Sequence, residues 1–422
     1  MVPCAQQLQL PTAPLHTPCR QAGRWDFPLP RPRRRPRRAI AAAMASGSAN
    51  PVVLGCGGIA VDYLATVASF PNPDDKIRSL ELKVQGGGNT GNALTAAARL
   101  GLRPRIISKV ANDAQGRNIL SELRADGIDT SYILVAENGN SPFTYIIVDE
   151  QTKTRTCIHT PGSPPMVPEE LTKANLSSAL DGADIVYFDV RLPDTALLVA
   201  EEVISSGHII SAHKNEKKMQ ASQRKIPILI DAERKREGLD ELLNFASYVV
   251  CSAKLPQAWT GASSIPIALV SMLSRLPNIK FVIVTLGEKG CLMLERSMTD
   301  ASEAGEIDVE ALFESLQNQV DQDSTMPKCI ASKSNLRISA DGVGSISGRL
   351  LLGTAEVIPP GELIDTTGAG DAFIGAVLYA LCTGMPPERM LPFAAQVAGC
   401  GCRGLGARSS LPHRTDPRLA GY

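Results

Sequence analysis

The sequence predicts an α/β fold in which a mostly parallel sheet carries helices on both faces, and three observations predict it. Short, wholly apolar runs recur along the chain: Val52-Val53-Leu54, Ile185-Val186-Tyr187-Phe188, Ile228-Leu229-Ile230 and Phe281-Val282-Ile283-Val284. A strand that is apolar on both sides is one covered on both sides, as parallel strands between helices are. Stretches of helical pattern separate these runs, which is the order of successive β-α units. Finally, two glycine-rich turns, Gln85-Gly86-Gly87-Gly88 and Thr367-Gly368-Ala369-Gly370, each run straight into an apolar or Ala-rich helical pattern. The first N–H groups of a helix lack intrahelical partners and its dipole is positive there, so such turns suit anionic oxygen.

Composition bounds the reading. The 422 residues exceed one average domain, and an α/β unit with an appended subdomain accounts for the length. Apolar residues make up 44% and the formal net charge is zero, a balance that implies neither nucleic acid nor an anionic membrane as partner. No run approaches the roughly 18 apolar residues of a membrane span. The ten cysteines lack paired C-x-x-C spacing and read as reduced, mostly buried thiols.

Residues 1–48 differ in kind. Arg31-Pro32-Arg33-Arg34-Arg35-Pro36-Arg37-Arg38 sets their tone, and Asp26 is the one acidic residue before Asp62. Such a segment buries too little apolar surface to fold, and it reads as disordered. Its acid-poor, Arg-rich character suits a transit peptide, which would direct the chain to a chloroplast or mitochondrion. The competing readings are a plain disordered tail and an upstream extension of a chain starting at Met44, either of which leaves a cytoplasmic protein.

The elements follow in order from Pro51. Val52–Leu54 reads as a buried strand entering the glycine turn Gly55-Cys56-Gly57-Gly58, with Ile59–Leu64 continuing it. Ile77, Leu80, Leu82 and Val84 alternate with charged residues, as in a half-exposed strand. A helix closed by Gly101 follows the first signature turn, then a strand at Arg105–Val110 and a helix at Arg117–Asp126. Two alternating strands lie between Tyr132 and His159, with Asn138-Gly139 as a hairpin-like turn. Ile185–Arg191 reads as a parallel strand ending at the edge where open α/β sheets bind ligands, which makes Asp189 and Arg191 candidate site residues. Further strands follow at Ile226–Glu233, Ser247–Ser252 and Phe281–Leu286. The polar stretch 205–224 and the acidic, then Ser/Asn/Gly-rich stretch 297–348 read as inserts, the latter with a short helix at Val309–Val320. The run Ala355-Glu356-Val357-Ile358 reads as a strand before the second turn, and Met390–Gly399 as a last helix.

Asp365-Thr366-Thr367-Gly368-Ala369-Gly370-Asp371-Ala372-Phe373 resembles the C-terminal signature of the ribokinase-like (PfkB) carbohydrate kinases, and Gly87-Gly88-Asn89-Thr90-Gly91-Asn92 resembles their N-terminal one. The spelling Gly-Gly-Asn-x-x-Asn is similar to the ketohexokinase-like variant. The likeness spans roughly residues 51 to 412 and implies a three-layer α/β/α sandwich with a small β lid, so that 49–422 form one kinase domain. It further implies ATP-dependent phosphorylation of a sugar hydroxyl, with Asp371 as general base and the N–H groups of Gly368, Ala369 and Gly370 as an anion hole. Asp62, Gly87, Gly88, Asn89, Asn92, Asp189 and Arg191 then face the sugar. Thr285, Gly287 and Gly290 face ATP with Arg155 near the phosphates, and Gly404-Leu405-Gly406-Ala407-Arg408 closes the adenine side. Mg²⁺, a monovalent cation and a homodimer formed through the lid are compatible with the family. The chain departs from the commonest pattern at Ser252-Ala253-Lys254-Leu255, where many members carry Asn-x-x-Glu, so the metal ligands are left open. A nucleoside kinase, or a catalytically silent scaffold protein in an organelle, is the alternative.

Because residues before Met44 carry no periodic apolar face, a chain beginning at Met44 should melt within a few degrees of the full chain. A larger drop in a thermal scan would mean that the segment packs on the domain.

Overall fold

The computed structural model describes residues 50–152, 154–209, 226–297 and 305–422. Residues 1–48 and most of the polar stretch 205–224 lie outside them. The larger sheet is centred on β1 (Val52–Cys56), which is parallel to β4 (Arg103–Ala111) on one side and to β8 (Ile185–Phe188) on the other. Beyond β4 lies β5 (Ile133–Ala136), and beyond β8 come β9 (Ile228–Ala232), β10 (Tyr248–Ser252) and β11 (Phe281–Thr285), all parallel. From β11 the sheet turns antiparallel through β12 (Cys291–Arg296), β16 (Gly344–Gly353) and β15 (Leu336–Ala340), and ends at β13 (Glu306–Asp308), with β14 (Cys329–Ala331) pairing β16.

Successive residues of these strands feed two separate cores. Val53, Ile185, Tyr187 and Ile283 join α1 (Asn89–Leu100), α2 (Ala114–Ala125), α9 (Ala369–Thr383) and α10 (Pro387–Gly401) on one face. Leu54, Val186, Phe188 and Val284 pack on the other, against α3 (Lys173–Leu180), α4 (Pro193–Ile209), α5 (Leu239–Leu243), α7 (Ile265–Arg275) and α8 (Val309–Gln317). The short α6 (Leu255–Thr260) precedes α7 and ends at the left-handed Gly261. The expected three-layer α/β/α arrangement is therefore present.

A second, four-stranded sheet forms the lid: β2 (Ala60–Val67) lies between β3 (Glu81–Gly87) and β6 (Phe143–Asp149), and β6 pairs β7 (Arg155–Thr160). Cross-strand register puts Asp62, Gln85, Thr144 and His159 on one face. Tyr63, Val84, Tyr145 and Ile158 share the other, where Val84, Tyr145 and Ile158 are exposed.

Four expectations are corrected here. The strand from Val52 does not continue through Leu64: the chain leaves the main sheet at Gly57-Gly58, and Ala60 onward belongs to the lid. Strand pairing begins at Glu81, so Ile77 lies outside it. Asn138-Gly139 is no hairpin turn, since β5 and β6 lie in different sheets. Ala355–Ile358 forms no strand; Val357 donates to Thr325 outside any ladder, and Pro359 and Pro360 have no N–H to offer. The segment 297–348, read as an insert, is folded wherever it is described: β13, β14, β15 and the first half of β16 lie in it and lengthen the sheet at its far edge.

The two signature helices touch closely. A Cβ placed on Gly375 of α9 would lie 2.5 Å from the Ala93 carbonyl oxygen and 2.6 Å from the Ala96 methyl of α1. Gly375→Val should therefore push the helices apart and lower unfolding free energy by about 1–3 kcal/mol, read as a shifted urea midpoint at unchanged slope.

Candidate active site

Strand ends along one edge of the sheet supply the site. After β1 the chain turns at Gly57-Gly58, after β8 comes Asp189, and the end of β9 brings Asp231 and Glu233. Asp189 is 2% exposed and organises this edge. Its Oδ2 accepts from the N–H of Gly58 at 2.7 Å and of Thr90 at 3.1 Å, while Oδ1 accepts from the N–H of Arg191 at 3.0 Å. Burial pushes its carboxyl above the usual carboxylate range, and those donors offset part of the rise. The expected sugar contact is thus an internal anchor that joins the first glycine turn to the N-terminus of α1.

That N-terminus begins at Gly88, whose φ of 84° is left-handed and whose missing Cβ would lie 2.6 Å from the Ile59 Cα. One turn in, Asn92 donates from Nδ2 to Asp371 Oδ2 at 2.8 Å. Its Oδ1 accepts from Arg408 Nε at 2.9 Å, so the amide expected to face a sugar is 5% exposed and engaged by protein on both sides. Asp62, 4% exposed, is likewise enclosed: burial pushes its carboxyl up to about 6 against the pull of Arg408 and a hydrogen bond from Thr144. A Cβ on Gly87 would lie 2.1 Å from an Asp62 carboxylate oxygen. Asn89 stands nearer the open cleft, accepting from Arg191 Nη2 at 3.2 Å.

Asp371 lies in the first turn of α9, which starts after Gly368 at a left-handed φ of 74°. Gly368 has no room for a side chain, since a Cβ there would lie 2.4 Å from the Ala407 methyl. Above Gly370, by contrast, nothing lies within 4 Å of where a Cβ would sit, so the turn is open on that side. Asp365 holds the turn in shape: its Oδ1 accepts from the N–H and hydroxyl of Thr367, at 2.9 and 2.7 Å, and its Oδ2 from the N–H of Gly406 at 2.8 Å. From the lid, Arg155 Nη1 reaches Thr366 Oγ1 at 2.8 Å, which brings this exposed guanidinium beside the turn. Burial among protein groups pushes the Asp371 carboxyl up to about 7; the Asn92 hydrogen bond opposes the rise, and the negative charges of Glu233 and Asp189 add to it.

Two acids here were missed in the sequence, and Arg408 was read only as part of the adenine-side loop. Asp231 is 6% exposed, and burial followed by the charges of Asp371 and Asp189 pushes its carboxyl well up. Glu233 accepts from Arg191 at 2.8 Å, Arg234 at 2.9 Å and Arg236 at 3.2 Å. Burial raises its carboxyl, but these guanidinium ions outweigh that and hold it low. Both acids sit at a parallel strand's C-terminal end, the same signal that singled out Asp189. Arg408 had no such signal. Thr285, Gly287 and Gly290 stand apart, along the same edge at the β11–β12 turn, where a Cβ on Gly290 would lie 2.0 Å from the Gly353 carbonyl oxygen.

A Gly-rich helix start open to anions, with a carboxylate of raised pKa beside it and polar groups lining the adjoining cleft, describes a catalyst that moves a phosphoryl group to an alcohol. The comparisons with known proteins narrow the class. The pfkB family carbohydrate kinase model matches residues 54–317 and 345–414, and the chain belongs to that family of ATP-dependent phosphotransferases. The unmatched interval between the two blocks contains β14 and β15. Mouse ketohexokinase is 24% identical over 355 residues, covering 83% of this chain and 97% of its own. Mouse ribokinase is 22% identical over 372 residues, covering 86% and 93%. The crystal structure of a putative ribokinase from Agrobacterium tumefaciens superposes with a TM-score of 0.61 at 23% identity, covering 86% of this chain and 95% of that one, and shows the shared ribokinase-like fold.

Among the described residues no helix is long and apolar enough to cross a membrane. Nor does any group of three or more His, Cys, Asp or Glu among them form a metal cage.

The anchoring by Asp189 gives a direct test. Asp189→Ala removes the acceptor of three backbone N–H groups and should lower unfolding free energy by roughly 2–4 kcal/mol in urea titration. A loss below 1 kcal/mol would mean that the turns hold themselves.

Proposed function

We propose that the chain phosphorylates a primary hydroxyl of a sugar, with Asp371 as the general base. The observation that carries this reading is the Asp371 carboxyl, raised to about 7 and held by Asn92, in the first turn of a helix entered through the Gly368-Ala369-Gly370 turn. A base is most effective when its pKa lies near the working pH. Bound ATP supplies the phosphoryl group. Asp371 takes the proton of the attacking hydroxyl, and the N–H groups from Gly368 to Asp371 stabilise charge on the transferred oxygens, with Arg155 reaching in from the lid. Asn89, Arg191 and the Asp62 face of the lid orient the acceptor. Thr285, Gly287 and Gly290 form the nucleotide side.

Of the family's variants, the ketohexokinase-like one is favoured by the Gly87-Gly88-Asn89-x-x-Asn92 spelling and by Arg155 beside Thr366. Mg²⁺ would enter with the nucleotide. A monovalent cation would sit against the loop tied to Asp365, where the Ser410 hydroxyl is buried without a hydrogen-bond partner. The exposed apolar face of the lid, with Val84, Tyr145 and Ile158, supports pairing with a second copy through the lid. Residues 1–48, if they act as a transit peptide, place the enzyme in a chloroplast or mitochondrion.

ADP release should be measured with purified protein across ketoses, aldoses and nucleosides. The strongest response should come from a ketose; a preference for nucleosides would reassign the acceptor, and silence with every compound would favour a scaffold role. With the best acceptor, Asp371→Asn should reduce turnover by roughly 10² to 10⁴. Protonation removes the base, so wild-type kcat/KM should fall as pH drops through about 7. Wild-type turnover in Asp371→Asn would remove the carboxylate from the mechanism.

A further inference from the structure

We infer that Arg408 is a positioning residue for phosphoryl transfer, one that acts on Asp371 through the amide of Asn92 and ties the sugar-side turn to the same point. Arg408 comes from the loop after α10, which resembles the adenine-side loop of the family, yet its side chain turns inward to Asn92 and Gly87 of the sugar-side turn. It is 4% exposed. Nε donates to Asn92 Oδ1 and Nη2 donates to the Gly87 carbonyl oxygen, each at 2.9 Å. Nη1 lies 3.9 Å from Glu122 Oε2, and that carboxylate also accepts from the N–H of Gly86 at 2.6 Å.

A guanidinium can only donate, so it compels Asn92 to present its oxygen to Arg408 and leaves the NH₂ for Asp371. The planar fork sets the position of Asn92 and of the Gly87 carbonyl together, which a lysine cannot do. The space for it is cleared by glycine on two sides. A Cβ on Gly86 would lie 2.3 Å from Nη1, and one on Gly91 would lie 2.3 Å from Nη2. The same loop touches the second signature turn, through the Gly406 N–H on Asp365 and the Ala407 methyl against Gly368. Residues 406–408 therefore contact the anion-binding turn, the sugar-side turn and the partner of the base in succession. Desolvation lowers the tendency of Arg408 to hold its charge, while Glu122, Asp126 and Asp62 support it. Burying a cation at this depth for stability alone is unfavourable compared with an apolar side chain of similar size.

The test is a double-mutant cycle of Arg408→Met and Asn92→Ala, with kcat, both KM values and melting temperature measured on the best acceptor. It rests on the reading of Asp371 as base, so Asp371→Asn is run alongside. Arg408→Met should lower kcat about ten- to a hundredfold, as small misplacements of a catalytic group do, and leave the ATP KM within about twofold. In the Asn92→Ala background the same change should cost less than about threefold, because the path to Asp371 is already cut. Should the methionine variant fail to fold, Arg408→Lys keeps the charge and most of the stem, and the same loss of kcat at near-wild-type melting temperature is expected. A folded variant with wild-type kcat, or losses that multiply independently in the double mutant, would overturn the inference and leave Arg408 a structural residue. If Asp371→Asn is inactive while Arg408→Met turns over normally, this inference alone has failed. If Asp371→Asn is also fully active, the base assignment has failed with it.

Discussion

Everything at the site depends on how closely α1 and α9 approach. Each helix carries one of the glycine-rich turns at its N-terminus, and the two turns can serve one reaction only if their first turns lie side by side. Gly375 against Ala93 and Ala96 permits that approach. It puts Asn92, one turn into α1, within a hydrogen bond of Asp371, in the first turn of α9. The strained starts at Gly88 and Gly368 follow from the same demand: each chain must reverse sharply to enter a helix whose axis is already set by its neighbour.

The second organising fact is charge. Asp189, Asp231 and Asp371 crowd one end of the cleft, and neither burial nor mutual repulsion favours ionising all three. The fold assigns them different surroundings. Among the described residues Asp189 accepts from three backbone donors, Asp231 from the Asn89 amide at 3.5 Å, and Asp371 from the Asn92 amide at 2.8 Å. Arg191, Arg234 and Arg236 gather instead on Glu233, nearer the surface. Similar carboxylates are thereby given distinct protonation behaviour, which is how one pocket keeps an anchor and a base apart.

Much of this was legible in the sequence, for identifiable reasons. Doubly apolar runs such as Ile185–Phe188 and Phe281–Val284 can be little else than covered strands, and the glycine turns announce helix starts whatever packs on them. The signal failed where two sheets share one stretch of chain. Val52–Leu64 keeps an unbroken apolar pattern, but Gly57 and Gly58 carry it from one sheet to the other. It failed again at Ala355–Ile358, where alternation without a neighbouring strand means nothing. At the site, residue types were legible but not their partners. Asn92 and Asp189 looked like ligands for polyols because amides and carboxylates suit hydroxyls, and most of their protein partners, Arg408 above all, lie far away in sequence. A lone arginine after a glycine carries no local pattern that says it is inside.

The lengths of the outermost strands also shape how the molecule meets other chains. In the main sheet the end strands are β13, with three residues, and β5, with four. Edges so short expose few unpaired N–H and C=O groups, and they make poor templates for adding another strand. The lid differs: β3 has seven residues and β7 six, each forming an outer edge. Misassembly by edge-to-edge pairing is thus suppressed across the catalytic body and concentrated on the lid.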